Sequence, residues 1–310
     1  MHAACTESSP GHTLCRPQWT LLPIGDRMDP RCVEHLLTED EKLRFERDGY
    51  FVVENAIPQE LVDALIPAVD RVDAAERTRM GMDADARINH YDFIGKDDLF
   101  LELLDWHTTF PKVWDLLNWH IQLYHTHMTV SPPEAEGKTL AEDGLGLGWH
   151  QDSGRLNDDF ETSPRPRVSL KIAYFLTDTR EEGRGNFYVL PGSQHSDDFP
   201  GADRKGPAEG GLPVRVAPGT AVFFDRRIWH SASANYWTEP RRVLFYGYSY
   251  RWLRPRDDMQ IAHYLERCDP IRQQLLGVTH SGGRGYTSPT EADIPLKAWI
   301  AEHAQAVSAP

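Results

Sequence analysis

The residues that first invite a chemical reading are Gly148-Trp149-His150-Gln151-Asp152. Side chains two apart on an extended strand share a face. His150 and Asp152 would then direct an imidazole nitrogen and a carboxylate oxygen at one point. Such a pair recurs by chance, so its meaning depends on a third group. His230 offers one, because it follows the apolar run Thr220–Phe224 and lies far enough past Asp152 for several strands to intervene. Two histidines and a carboxylate on one side of a metal leave the opposite positions open for a bidentate acid and dioxygen, which suits iron(II). The alternative for His230 is a core histidine bonded to a backbone carbonyl. Arg241 weighs against that alternative. It precedes the β-type run Val243–Tyr250 and carries a planar fork that grips a carboxylate with two hydrogen bonds. Its neighbour Arg242 complicates the assignment, and strand alternation should send one of the two inward and the other out.

A β framework has to position these groups. From about residue 120 the chain reads as short apolar runs separated by Gly and Pro: Ile121–Val130, Val168–Leu176, Asn186–Leu190, Val214–Val216, Thr220–Phe224 and Val243–Tyr250. Several alternate apolar and polar residues, as half-buried strands do. Short strands with turn residues between them predict a mainly β protein with flanking helices, a jelly roll or cupin-like double-stranded β-helix. The helices come from the N-terminal third. Thr38 with Glu41 makes a capping box that opens a helix over 38–48, Gly49 ends it, and Tyr50–Val53 is strand-like. Residues 58–78 carry Leu61, Leu65, Val69 and Val72 on one helical face. Residues 97–118 read as a second helical region interrupted at Pro111, and from Tyr264 onward helix and loop return. Residues 1–37 look irregular, and 38–310 read as one domain.

Composition narrows the function classes. The chain has 310 residues, 40% of them apolar and 26% charged, enough for one large domain or two small ones and ample for a buried core. With 47 acidic against 33 basic residues its formal charge is −14, which argues against a nucleic-acid partner. No run approaches the roughly 20 apolar residues of a membrane span. The first 30 residues hold no apolar stretch after a basic start, so no secretory signal is expected. Cys5, Cys15, Cys32 and Cys268 form no CxxC pair, which excludes zinc-finger and redox readings on spacing and suits a reducing cytoplasm.

The order of these pieces resembles the phytanoyl-CoA dioxygenase family of iron- and 2-oxoglutarate-dependent oxygenases. The resemblance begins at Phe45-Glu46-Arg47-Asp48-Gly49-Tyr50 and runs through His125-Thr126-His127-Met128, Pro132-Pro133 and Trp149-His150-Gln151-Asp152. It continues with Asn186-Phe187-Tyr188-Val189-Leu190-Pro191-Gly192-Ser193 and closes on His230 and Arg241. It implies Fe(II) on His150, Asp152 and His230, with the distal carboxylate of the 2-oxoglutarate cosubstrate on Arg241. It also implies cosubstrate contacts from His127 and Tyr174. On the family's layout Asn89, His90, Tyr91, Gln122, Trp229 and the loop Arg155–Phe160 line the substrate pocket. Three positions depart from the family: Ser131 stands where members often have Lys, Asn89 where some have Lys, and Ala232 where a hydroxyl side chain is frequent.

The implied activity consumes O2 and 2-oxoglutarate and oxidises a C–H bond of a small-molecule metabolite, most simply by hydroxylation. Desaturation, cyclisation and epimerisation share the first hydrogen abstraction and are alternatives. Asp152 occupies the position that related halogenases leave to chloride, which argues against halogenation. A non-enzymatic cupin-like binding protein is the other class, and Arg241 discriminates, since a mere metal store needs no carboxylate fork.

Overall fold

The computed structural model describes residues 28–304. Residues 1–27 of the expected irregular segment, with Cys5 and Cys15, lie outside them. The remainder of that segment is not wholly irregular, because Pro30–His35 closes a 3₁₀ turn capped by Asp29.

The helices open the chain as local chemistry dictates. α1 (Glu39–Asp48) starts at the Thr38/Glu41 capping box and stops at Gly49, whose φ of 80° is the left-handed conformation glycine tolerates. β1 (Tyr50–Val53) follows, then α2 (Gln59–Met80) behind Pro58, β2 (Ile88–Tyr91), α3 (Asp98–Glu102) and α4 (Phe110–Leu117). The break in the 97–118 region falls before Pro111, not at it. Pro111 sits in the first turn of α4, where a missing N–H costs nothing. β3 (Ile121–Ser131), α5 (Leu140–Asp143), α6 (Gly154–Asp159), β4 (Ser169–Phe175), β5 (Phe187–Val189), β6 (Leu212–Val214), β7 (Thr220–Asp225), β8 (His230–Ala232) and β9 (Arg241–Tyr250) come next. Three further helices, α7 (Ala262–Leu265), α8 (Pro270–Leu275) and α9 (Pro295–His303), close the described chain. Among the described residues, no helix is long and apolar enough to cross a membrane.

The strands form two antiparallel sheets, one ordered β1-β7-β4-β9-β3-β2 and a smaller one ordered β6-β5-β8. This is the expected double-stranded β-helix. Alternation divides the large sheet between two cores. One face carries Leu170, Ile172, Tyr174, Leu244, Tyr246 and Tyr248 into a core shared with α2, α3, α4 and α8. The other carries Ala173, Phe175, Val222, Phe224, Val243 and Phe245 against Phe187, Val189 and Val214 of the small sheet. The second face is the one that reaches the chemistry.

Gly49 joins the helical layer to this sandwich. A Cβ there would lie 2.5 Å from Gln194 Oε1, while Gln194 Nε2 donates to the Glu46 and Arg47 carbonyls that end α1. Gly49→Ala therefore combines a positive φ with a clash. It is expected to cost about 1–3 kcal/mol, read as a lower urea midpoint at unchanged slope.

Candidate metal centre

His150 and His230 meet because their backbones pair. Each amide donates to the other's carbonyl at 3.0 Å, an isolated antiparallel bridge between two otherwise distant segments. The strand expected through residue 152 ends at this bridge. Asp152 lies in a turn, its amide donating to the Arg226 carbonyl at 3.0 Å. Its carboxylate thus joins the histidines because both segments are anchored to residues 226–230. The ligand atoms of His150, Asp152 and His230 lie within 4.8 Å of one another. One ion with bonds of about 2.0–2.2 Å bridges such a triangle.

The tautomers and charges suit a cation. His230 Nδ1 donates to the Ile228 carbonyl at 2.9 Å, which leaves the Nε2 lone pair free, 4.0 Å from Asp152 Oδ2. Burial, aided by His150, pushes the His230 pKa down to about 3, so the ring stays neutral. Burial alone would raise the Asp152 carboxyl. The Lys171 ammonium and the two imidazoles overrule it and hold the acid well below the usual carboxylate range. Lys171 Nζ donates to Asp152 Oδ1 at 2.8 Å, whereas Oδ2 is buried with no partner. One carboxylate oxygen is clamped and the other is left for a metal.

A second unsatisfied group lies deeper. Arg241 is only 2% exposed, and its Nε and Nη2 find no acceptor among the described residues. Its guanidinium lies over the Phe175 ring at 5.6 Å. Gly185 packs so closely that a Cβ would be 2.7 Å from Arg241 Cδ. Burial and then Arg87 lower its pKa to about 9, a penalty that a bound carboxylate would relieve. Ser131 stands opposite Arg241 in the β3–β9 register, its buried hydroxyl also unpartnered. Arg242 turns outward and grips Asp70 of α2 at 2.7 and 3.0 Å.

Alternation sorts the remaining candidates. Asn89 and Tyr91 share the inner face with Thr129 and His127, their register partners. Asn89 Oδ1 accepts from the Thr129 hydroxyl at 2.7 Å, and the Tyr91 ring lies 6.0 Å from that of His127. His90 points the other way, to Asp73 of α2 at 2.6 Å. Tyr174 also leaves the site. Its hydroxyl bonds Thr109 Oγ1 at 2.6 Å in the helix-covered core, because its neighbours Ala173 and Phe175 take the inner face. Trp229 is likewise turned out beside the inward His230. It packs with Trp149, Leu147, Tyr188 and Leu190, under Arg204 at 4.6 Å. Gln122 uses its amide nitrogen to hold the Arg251 and Leu253 carbonyls at the exit of β9. In the expected loop Arg155–Phe160, most residues form α6, and Asn157 there donates to the Asp152 carbonyl at 2.7 Å.

Sequence reasoning named Ser131 and His125 without giving either a role, and passed over Lys171 and Asp257. Lys171 did carry a signal, an ammonium in the middle of the apolar run Ser169–Phe175. A buried lysine needs a carboxylate partner. Asp257 carried none, since only the tertiary fold brings it to His125.

A double-stranded β-helix with two histidines and a carboxylate at one point, and a buried arginine on the same inner face, defines an iron- and 2-oxoglutarate-dependent oxygenase. The chain belongs to the phytanoyl-CoA dioxygenase (PhyH) family, whose sequence pattern it matches over residues 45–243. Solved structures share the fold. HygX from Streptomyces hygroscopicus, crystallised with nickel and 2-oxoglutarate, superposes with a TM-score of 0.57 at 15% identity, over 71% of this chain and 90% of that one. The non-haem α-ketoglutarate-dependent epimerase SnoN from nogalamycin biosynthesis gives 0.53 at 19% identity, over 76% and 87% of the two chains.

The placement of Tyr174 has a direct check. Tyr174→Phe removes one buried hydrogen bond and is expected to cost about 1 kcal/mol of stability. Anaerobic titration of the metal-loaded variant with 2-oxoglutarate should match wild type, and a marked loss of affinity would return Tyr174 to the site.

Proposed function

We propose that this chain is an iron(II)- and 2-oxoglutarate-dependent dioxygenase that hydroxylates a small-molecule metabolite. In this reading His150, Asp152 and His230 hold the metal and Arg241 anchors the cosubstrate. The observation that carries it is a pair of bare groups on one inner face: Asp152 Oδ2 and the Arg241 guanidinium, both buried and unpartnered. Leaving one charge of a buried pair uncompensated costs about 3–5 kcal/mol. A metal cation and a dicarboxylate would satisfy both groups.

Iron bound there supplies one chemistry, coupling the oxidative decarboxylation of 2-oxoglutarate by O2 to oxidation of a substrate C–H bond. The chain's residues supply placement. The Ile228 carbonyl fixes the His230 tautomer. Lys171 holds one Asp152 oxygen so that the carboxylate offers a single free oxygen to the metal. Ser131 stands beside Arg241 as a second donor for the distal carboxylate. Phe175, Val243 and Phe245 wall the space between with apolar surface that keeps water out. Residues 38–310 act as one domain in this reading, in a reducing cytoplasm that suits the free, buried thiols of Cys32 and Cys268.

Two measurements test it. His230→Ala should abolish tight iron binding while the β core stays folded by circular dichroism. Without oxygen, the absorption band of the iron–cosubstrate complex reports 2-oxoglutarate affinity. Arg241→Ala should weaken that affinity by roughly 30- to several-thousand-fold, the equivalent of losing about 2–5 kcal/mol from one side of a buried charge pair. Arg242→Ala, whose side chain faces Asp70, should change it no more than about twofold. A wild-type protein that binds iron but no 2-oxoglutarate would instead be a cupin-like metal-binding protein.

A further inference from the structure

A row of hydrogen bonds runs from Asp257 along the inner face of β3 to His127. Asp257 Oδ2 accepts from the Thr126 amide at 2.5 Å and the Thr126 hydroxyl at 3.0 Å. Its Oδ1 lies 2.8 Å from His125 Nδ1, and His125 Nε2 lies 3.2 Å from His127 Nδ1. The row is buried at its start, where the His125 and Asp257 side chains are 1% and 2% exposed. His127 ends it, lying flat on the Phe245 ring with centroids 4.1 Å apart and planes within 10°.

Counting protons fixes the polarity of this row. Burial lowers the pKa of both histidines, that of His127 far below the ordinary value with the Lys171 charge adding to the effect. Each ring is therefore neutral and carries a single N–H. The backbone amide of Thr126 can only donate, so Asp257 Oδ2 is an acceptor. Asp257 Oδ1 then accepts from His125 Nδ1–H. That leaves His125 Nε2 as a lone pair, which accepts from His127 Nδ1–H. At the end of the row His127 Nε2 is a lone pair, and it meets no donor among the described residues.

We infer that His127 determines substrate specificity, with its Nε2 held as a hydrogen-bond acceptor that reads a hydroxyl or amine on the substrate. His125 and Asp257 are positioning residues that fix this tautomer. In this inference His127 does not serve as the expected cosubstrate contact, because a carboxylate is also acceptor-only and a lone pair repels it. Arg241 pairs with Ser131 and Phe245 with His127, so four residues of strand, roughly 14 Å, separate the His127 and Arg241 backbones, while Lys171, paired with Gly247, brings Asp152 to the His127 end of the strands. What the donor belongs to rests on the oxygenase reading, whereas the tautomer does not.

Asp257→Asn should reverse the row. The Asn oxygen must stay on the Thr126 amide, which turns its NH2 toward His125 Nδ1. His125 then carries its proton on Nε2, and His127 becomes a donor at its outer nitrogen, the tautomer error that an Asp→Asn change produces in a catalytic triad. Nitrogen-15 spectra of the histidine-labelled full chain, with and without Zn(II) and 2-oxoglutarate, read this directly. The His127 signals are identified by their loss in His127→Gln. The expected wild-type spectrum has Nδ1 protonated and Nε2 bare, and Asp257→Asn exchanges them. If that variant fails to fold, the wild-type spectrum still decides, and a protonated Nε2 overturns the inference whether or not the metal binds. His127→Gln should leave 2-oxoglutarate affinity within about twofold of wild type, and a loss beyond tenfold would restore the cosubstrate role. On any compound that releases succinate in a coupled screen, methylating the recognised hydroxyl, or the recognised amine until no N–H remains, should lower kcat/KM at least tenfold, about 1.4 kcal/mol. Equal turnover of the two forms would also overturn the inference.

Discussion

The bridge between residues 150 and 230 is the constraint on which the site depends. Two reciprocal backbone hydrogen bonds, each 3.0 Å, set the register between the segment through His150 and β8 of the small sheet. Side chains alternate, so the same register turns His150 and His230 to one side and Trp149 and Trp229 to the other. A slip of one residue in either segment would turn its indole toward the ligand side and its imidazole into the apolar cluster. Other bonds guard against it: Gly148 donates to the Ser231 hydroxyl at 2.9 Å, and Leu190 to the Trp229 carbonyl at 2.9 Å.

The large sheet divides its labour by face. Toward the helices the buried tyrosines place their hydroxyls, Tyr246 on the Phe100 carbonyl and Tyr248 on that of Leu104. Toward the small sheet it keeps Arg241 bare and Asp152 half-paired among apolar neighbours. Burying polar groups without partners costs free energy. The helix-packed core offsets that cost, which lets the inner face keep groups that only ligands complete.

This division explains what the sequence disclosed. Periodicity revealed the long strands and the amphipathic helix α2, and residue chemistry revealed the capping box of α1. It did not reveal β2 or β8, which are four and three residues long and rich in polar side chains. The candidate metal ligands were legible because their types are rare in combination. Tyr174, Trp229 and His90 were misplaced for one shared reason: each adjoins an inner-face residue, and alternation sends it outward. Reading faces from a known neighbour would have placed all three. Asp257 was beyond reach, because its partner His125 is fixed by how the chain turns after β9.

The inner face is graded along its length. Along β9 the inward positions run Arg241, Val243, Phe245 and Gly247, opposite Ser131, Thr129, His127 and His125 of β3. One end presents a guanidinium and a hydroxyl, donors that favour an anion. Val243 and Phe245 intervene with apolar surface. The far end presents the imidazole row that leads from Asp257, and across β9 from it Lys171, paired with Gly247, reaches Asp152. The register of β9 with β3 and β4 therefore spaces the Arg241 guanidinium from the Lys171–Asp152 pair, the two ends that a dicarboxylate bound at a metal would have to span.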